Sequence, residues 1–230
     1  MTGIVFALGD DRVVKKPRQS QMSDADSAAY MNEISQASHD NEVRVFQRLA
    51  NGCKGVIHCY QLFKYGIELA RAQDNLENYF ETHPEGNDTL KITWIRSLIE
   101  TFAYIHSRRV FVDDIALRNI LIMNDKELKV ADFGQAIILP LDADIPSVKE
   151  QDLTAAIEML HLGWAFYSIA RWQVHKYYFF EIENPDLRWP TPFPSVEGVL
   201  CGELIENCWR GGHASMDDVQ RDAAQLLGSN

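Results

Sequence analysis

Asp114, Asn119 and Asp132 are the residues on which chemistry could turn. Asp114 and Asn119 sit on a polar turn that leads into the apolar run Ile120 to Met123; Asn124-Asp125 interrupts that run, and Leu128 to Ala131 resumes it. Two short β-prone runs around an Asn-Asp turn predict a hairpin. Asp114 and Asn119 fall just before its first strand and Asp132 just after its second. A hairpin brings its open ends together, so two carboxylates and one amide can converge on one spot. Oxygen donors of this kind suit Mg²⁺ and the phosphates it accompanies.

The stretch Ile105 to Gly134 resembles the catalytic loop and metal-binding hairpin of protein kinases. The family pattern His-Arg-Asp-x-x-x-x-Asn stands here as Val112-Asp113-Asp114-Ile-Ala-Leu-Arg-Asn119, and Asp-Phe-Gly is intact as Asp132-Phe133-Gly134. A lone Asp-Phe-Gly is a weak signal, but the two motifs and the hairpin in order, at family-like spacing, are much more specific. The resemblance implies an α+β, two-lobed kinase-like fold. Its truncated N-lobe, residues 1–70, would be a small antiparallel sheet plus one helix, and its C-lobe, residues 71–230, mainly helical. It implies ATP and Mg²⁺ as ligands and a protein hydroxyl as acceptor. Asp114 would orient the substrate hydroxyl and accept its proton, while Asn119 and Asp132 would hold Mg²⁺. Lys15 would contact the α- and β-phosphates, Glu42 would fix Lys15, and Val5, Val13, Leu69 and Leu121 would line the adenine pocket. Arg118, following Ala116, resembles the tyrosine-kinase form Asp-x-Ala-x-Arg-Asn and joins the catalytic group.

The elements that must position these residues can be read in turn. Gly3 to Leu8 predicts a strand, Gly9-Asp10-Asp11 a turn, and Arg12 to Lys15 a second strand stopped by Pro17. Val13-Val14-Lys15 resembles the end of the family's Val-Ala-Ile-Lys. Lys16 competes with Lys15, since strand alternation lets only one face the cleft; a lysine-x-proline ending resembles fungal kinase-like chains and favours Lys15. Gln19 to His39 is polar and is expected to be a surface insertion or a loosely held helix. Val45, Phe46 and Leu49 then give a helical face with Glu42 one turn ahead; Glu33 is the alternative partner for the strand lysine. Val56 to Phe63 and Gly66 to Ala70 predict two more strands, and Ala70-Arg71-Ala72 a hinge. A short helix should begin at Asn75 to Phe80. Ile92, Ile95, Leu98, Ile99, Phe102 and Ile105 recur at helical spacing. Gln135 to Lys149 is expected to be a loop, because Pro140 and Pro146 prevent long helices. Asp152 to Arg171 is helical and apolar nearly all round, as a buried central helix should be. It resembles the family's central helix, with Glu158 where the family has an aspartate supporting the catalytic loop; His161 on it reads as a core histidine. Trp172 to Phe193 is aromatic and loop-rich. Leu204 to Trp209 predicts a helix, and Ser215 with Asp218 predicts the cap of a last one.

The departures from the family matter for function. The glycine-rich loop is reduced to Gly3-x-Val5, which should weaken phosphate positioning. Val112 replaces the motif's histidine, and Asp113 replaces the arginine that in many kinases clamps a phosphorylated loop. No Ala-Pro-Glu follows Gly134. The alternative function is therefore a pseudokinase, the same fold used as a binding or regulatory module with an unknown regulated partner. Composition narrows the classes further. A net charge of −11 argues against nucleic acid or an anionic membrane as the main partner. No apolar run approaches a membrane span and no signal-peptide pattern opens the chain, so a cytoplasmic location is expected. Cys53, Cys59, Cys201 and Cys208 form no Cys-x-x-Cys pair, which makes zinc improbable and reduced thiols the expectation.

Overall fold

In the computed structural model, which describes residues 3–228, β1 (Gly3–Leu8) turns at Gly9 and runs back as β2 (Arg12–Pro17). Gly9 takes φ +72°, a conformation that glycine adopts without the Cβ clash of other residues. After α1 (Ala25–Leu49), β3 (Cys59–Phe63) and β4 (Gly66–Ala70) complete an antiparallel sheet of order β1-β2-β4-β3. The register sets Val5 opposite Lys15, and Val13 opposite Leu69. Side chains alternate along a strand, so Val5, Val13, Lys15 and Leu69 share one face. Lys16 points the other way and is exposed.

One sequence expectation is narrowed here and one is corrected. Of the two readings of Gln19 to His39, the structure gives the helix. From Ala25 it is the first half of a 25-residue helix, capped by the Asp24 side chain on the Ser27 N–H. The buried residues of that half are Ser35, Ser38 and His39, which are polar, so no hydrophobic period announced them. The run Val56 to Phe63 is a strand only from Cys59. Val56 and Ile57 instead join residues of the hairpin: the Ile57 N–H donates to the Val130 carbonyl at 3.0 Å, and the Val130 N–H to the Gly55 carbonyl at 2.7 Å.

The remainder is mostly helical. β5 (Asp74–Asn75) leads into α2 (Leu76–Thr82), and α3 (Asp88–Ser107) into β6 (Val110–Phe111). A single 3-10 turn, Leu117–Asn119, precedes the hairpin of β7 (Ile120–Ile122) and β8 (Leu128–Val130). The expected loop after Gly134 contains a short strand, β9 (Ile137–Ile138), which pairs with β6. Then come α4 (Ala155–Arg171), α5 (Gly202–Trp209) and α6 (Met216–Leu227). α4 starts at Ala155 rather than Asp152, because Thr154 supplies the cap and Asp152 has the non-helical φ of +65°. α6 opens with the Ser215–Asp218 capping box. The whole is an α+β fold with a small antiparallel sheet, one long helix beside it and a larger helical part, as expected of a kinase-like fold.

α4 is the post of the larger part. A Cβ on Gly163 would lie 2.8 Å from the Trp209 ring, so a glycine there lets α5 approach closely. One turn apart on its buried surface, Glu158 and His161 offer acceptors to two loops. Glu158 takes the Val112 N–H and lies 2.8 Å from the His106 ring nitrogen. His161 Nε2 takes the Phe179 N–H at 3.0 Å, which leaves the proton of the neutral ring on Nδ1.

This burial makes His161 a pH-dependent element of stability. Its pKa is pushed from 6.5 down to about 3. Within that window the unfolded chain holds a proton that the folded chain does not. The contribution is present above the ordinary value and is lost as pH falls, at up to about 1.4 kcal/mol per pH unit. His161→Gln keeps an acceptor without the titration. Denaturant unfolding between about pH 7 and 4 should show a shallower loss of stability for the variant. An unchanged slope would contradict the assignment.

Candidate functional site

β2 carries Lys15 into the space between the sheet and the hairpin. There its ammonium donates to Glu42 Oε1 at 2.9 Å and to Asp132 Oδ1 at 2.8 Å. Three segments far apart in sequence thus meet at one nitrogen. The Lys15 and Glu42 side chains are only 12% and 2% exposed, whereas Asp132 is 39% exposed and opens toward solvent. Burial alone would lower the Lys15 pKa, but the charges of Glu42 and Asp132 outweigh it and the net direction is upward. Burial raises the pKa of Glu42, opposed by Lys15 and by the Phe133 N–H, which donates to Glu42 Oε1 at 3.3 Å. Glu33, the alternative partner, is exposed on the first half of α1.

Asp132 adopts φ +62°, a left-handed conformation that costs on the order of 1 kcal/mol for a residue with a Cβ. Its neighbours hold it there. Phe133 is fully buried with its ring edge-on to Phe46 at 5.4 Å, a burial worth roughly 2–3 kcal/mol. Asn41 Nδ2 donates to the carbonyls of Gly134 and Ala136, at 3.2 and 2.7 Å. A Cβ on Gly134 would lie 2.3 Å from Ser38 Oγ, so a larger residue there would require the Ser38 hydroxyl to turn away.

The second group is built on the loop before β7. Asn119 Nδ2 donates to the Asp114 carbonyl and to Asp114 Oδ2, both at 2.9 Å. Arg118 Nη2 donates to both Asp114 carboxylate oxygens at 2.6 Å. The Ala131 N–H, next to Asp132, donates to the Asn119 carbonyl at 2.9 Å, which fastens this group to the first. Leu121 on β7 is half-buried against the core, as is Val13; Leu69 is buried, and Val5 is 58% exposed at the open edge of the sheet. A cavity of about 400 Å³ opens beside Asp114, and Asp113, Gln135, Tyr177, Tyr178 and Glu181 contribute to its walls.

The donor set can be tested against Mg²⁺. Both Asn119 bonds use Nδ2, which leaves its Oδ1 free to coordinate, and Asp132 Oδ2 is not the oxygen bound to Lys15. Among the described residues no group of three His, Cys, Asp or Glu side chains could cage a metal by itself. Two oxygen ligands from protein, with the others from phosphates and water, is the arrangement Mg²⁺ favours, so the residues fit.

The family pattern "Protein kinase domain" matches residues 10–156, more than half of the chain. This chain belongs to the protein kinase family. Rat tyrosine-protein kinase JAK3 is 31% identical over 131 residues, covering 50% of this chain and 12% of that protein. MAP kinase kinase kinase wis4 of Schizosaccharomyces pombe is 26% identical over 170 residues, covering 69% and 11%. Aurora kinase A-B of Xenopus laevis is 29% identical over 104 residues, covering 44% and 23%. The matched part spans no more than a quarter of these relatives' own lengths.

Sequence reasoning did not find Tyr178 or Asn41. Tyr178 Oη donates to Asp113 Oδ2 at 2.9 Å, and its ring stacks on His161 at 5.6 Å. Its only signal was membership of an aromatic run. Through this bond the chain satisfies the Asp113 carboxylate, which stands where the family pattern His-Arg-Asp has arginine. Burial raises the Asp113 pKa, the Tyr178 bond opposes the rise and Asp114 adds to it. The cation nearest this pair, Arg118, is already engaged by both oxygens of Asp114, so a phosphate there would have to compete with a carboxylate for it. Ser147, the single hydroxyl between Gly134 and Asp152, already donates to Asp144 Oδ2 at 2.6 Å. Ser147→Ala and phosphatase treatment should therefore each change nucleotide-dependent stabilisation and phosphotransfer by less than about twofold. A large loss common to both treatments would show a phosphate-dependent loop.

Proposed function

We propose that this protein kinase domain is an ATP- and Mg²⁺-dependent phosphotransferase acting on a protein hydroxyl. The observation that carries the reading is Lys15 bonded at once to Glu42 and Asp132. A lysine buried between two carboxylates costs solvation that hydrophobic residues would not, and a nucleotide phosphate gives the charge a use. In the proposed reaction Lys15 orients the α- and β-phosphates and Glu42 keeps its ammonium in place. Asp114 Oδ2 accepts the proton of the substrate hydroxyl, and Arg118 holds the Asp114 carboxylate in orientation. Asn119 Oδ1 and Asp132 would hold Mg²⁺, which when bound supplies neutralisation of phosphate charge. Val5, Val13, Leu69 and Leu121 would contact the adenine. The cavity beside Asp114 would admit the acceptor side chain. A division into lobes at residue 70 is part of the same proposal, with the nucleotide between them.

A second reading, a pseudokinase module, is favoured by one observation. β1 is paired with β2 residue for residue from Gly3 to Leu8, so that ladder engages backbone groups which a glycine-rich loop would turn toward phosphates. If the protein binds nucleotide, binding should be weak and metal-dependent. Thermal unfolding with about millimolar ATP, with and without Mg²⁺, tests this for the wild type and Asp132→Asn. The phosphotransferase reading expects a rise in Tm that needs Mg²⁺ and is largely lost in Asp132→Asn. No rise in the wild type would leave the module reading in its place. A rise indifferent to Mg²⁺ would contradict the assignment of Asn119 and Asp132.

A further inference from the structure

On the far side of α1 from Lys15, Arg44 and Arg48 lie one turn apart and meet Arg108 from the end of α3. The three line a notch of about 650 Å³ with Gln47, Ile138 and Leu141. Arg48 and Arg108 clasp each other through the backbone: Arg48 Nη1 donates to the Arg108 carbonyl at 3.2 Å and to the Leu139 carbonyl at 3.3 Å. Arg108 Nε donates to the Arg48 carbonyl at 3.0 Å. Arg44 Nη2 reaches only Asn41 Oδ1, at 3.1 Å.

No carboxylate lines this notch. Arg12, Arg118, Arg188, Arg210 and Arg221 form ion pairs, and none of them belongs to it. In a chain of net charge −11, acidic partners are abundant, yet three guanidinium groups gather without one. Like charges at helical i,i+4 spacing oppose folding. Two of the three are nevertheless held by backbone carbonyls that spend one or two donors each and leave the others free. Leu141, at 74% exposed, adds an apolar contact on the rim.

We infer that this notch binds a phosphorylated segment of a partner protein, with the phosphate on the arginines and an adjacent apolar side chain against Leu141 and Ile138. Guanidinium forks match phosphate oxygens in geometry, and charge-assisted bonds to a dianion exceed those to a single carboxylate. The exposed leucine selects a peptide over a free anion. The acidic remainder of the chain disfavours a membrane or a nucleic acid, whose long charged surfaces would meet repulsion outside the notch. The site lies apart from the nucleotide cleft and does not depend on its activity.

The probe is a fluorescein-labelled peptide with one phosphoserine followed by leucine, compared with its unphosphorylated twin by fluorescence anisotropy at about physiological salt. The wild type should bind the phosphorylated form at least about tenfold more tightly. Arg44→Glu and Arg108→Glu should each remove that preference. Arg44 makes no bond to the core, so its variant remains informative even if Arg108→Glu disturbs α3. Equal affinity for the two peptides, or an unchanged preference in Arg44→Glu, would overturn the inference. So would displacement of the phosphopeptide by phosphatidylserine vesicles or by polyuridylate. Because the measurement uses no ATP, its failure is separate from any failure of phosphotransfer.

Discussion

The Lys15 ammonium held between Glu42 and Asp132 is the constraint on which the rest of the site depends. Taking these charges out of water is costly, and the pair repays that cost only while it is intact; removing one partner of a buried pair typically costs about 3–5 kcal/mol. Each partner arrives on a different element. Lys15 needs the β1–β2 hairpin, Glu42 needs α1 as an unbroken helix, and Asp132 needs the β7–β8 hairpin closed against β5. The contact therefore reports whether the sheet, the helix and the hairpin are all in place.

Around it, side-chain hydrogen bonds fasten the neighbouring segments. Asn41, adjacent to Glu42, ties α1 to the backbone after Asp132 through two carbonyls. Glu158 ties the start of the catalytic loop to α4, and Tyr178 ties Asp113 to the aromatic segment stacked on His161. Asp113 and Asp114 are sequence neighbours, so fixing the first restricts the backbone of the second. The short stretch of chain between Gly134 and Glu150 is itself paired to β6 through β9.

Much of this was legible in the sequence because local patterns dictated it. The β1–β2 and β7–β8 hairpins announce themselves by turn residues between apolar runs, and the α6 cap by Ser215 with Asp218. The central helix α4 is apolar on nearly every side, which only a buried helix can be. What escaped was set by contacts distant in sequence. The residues that the first half of α1 buries, Ser35, Ser38 and His39, are polar, so periodicity could not reveal it. Val56 and Ile57 are apolar and β-prone, but their partner is Val130 rather than β4, a choice that no local signal encodes. Tyr178 shows no spacing relation to Asp113, and only the fold brings the two together.

Transfer of the γ-phosphate from labelled ATP, followed for the wild type and Asp114→Asn with Mg²⁺ present, tests the central claim most directly. The result expected is label on the protein itself or on a mixed protein acceptor. In Asp114→Asn it should fall by about 100-fold or more while ATP-dependent stabilisation survives, since Asp114 is assigned to the acceptor hydroxyl and not to the nucleotide. Label that persists undiminished in Asp114→Asn, or its absence from a wild type that binds ATP and Mg²⁺, would contradict the reading of this cleft as a phosphotransfer site.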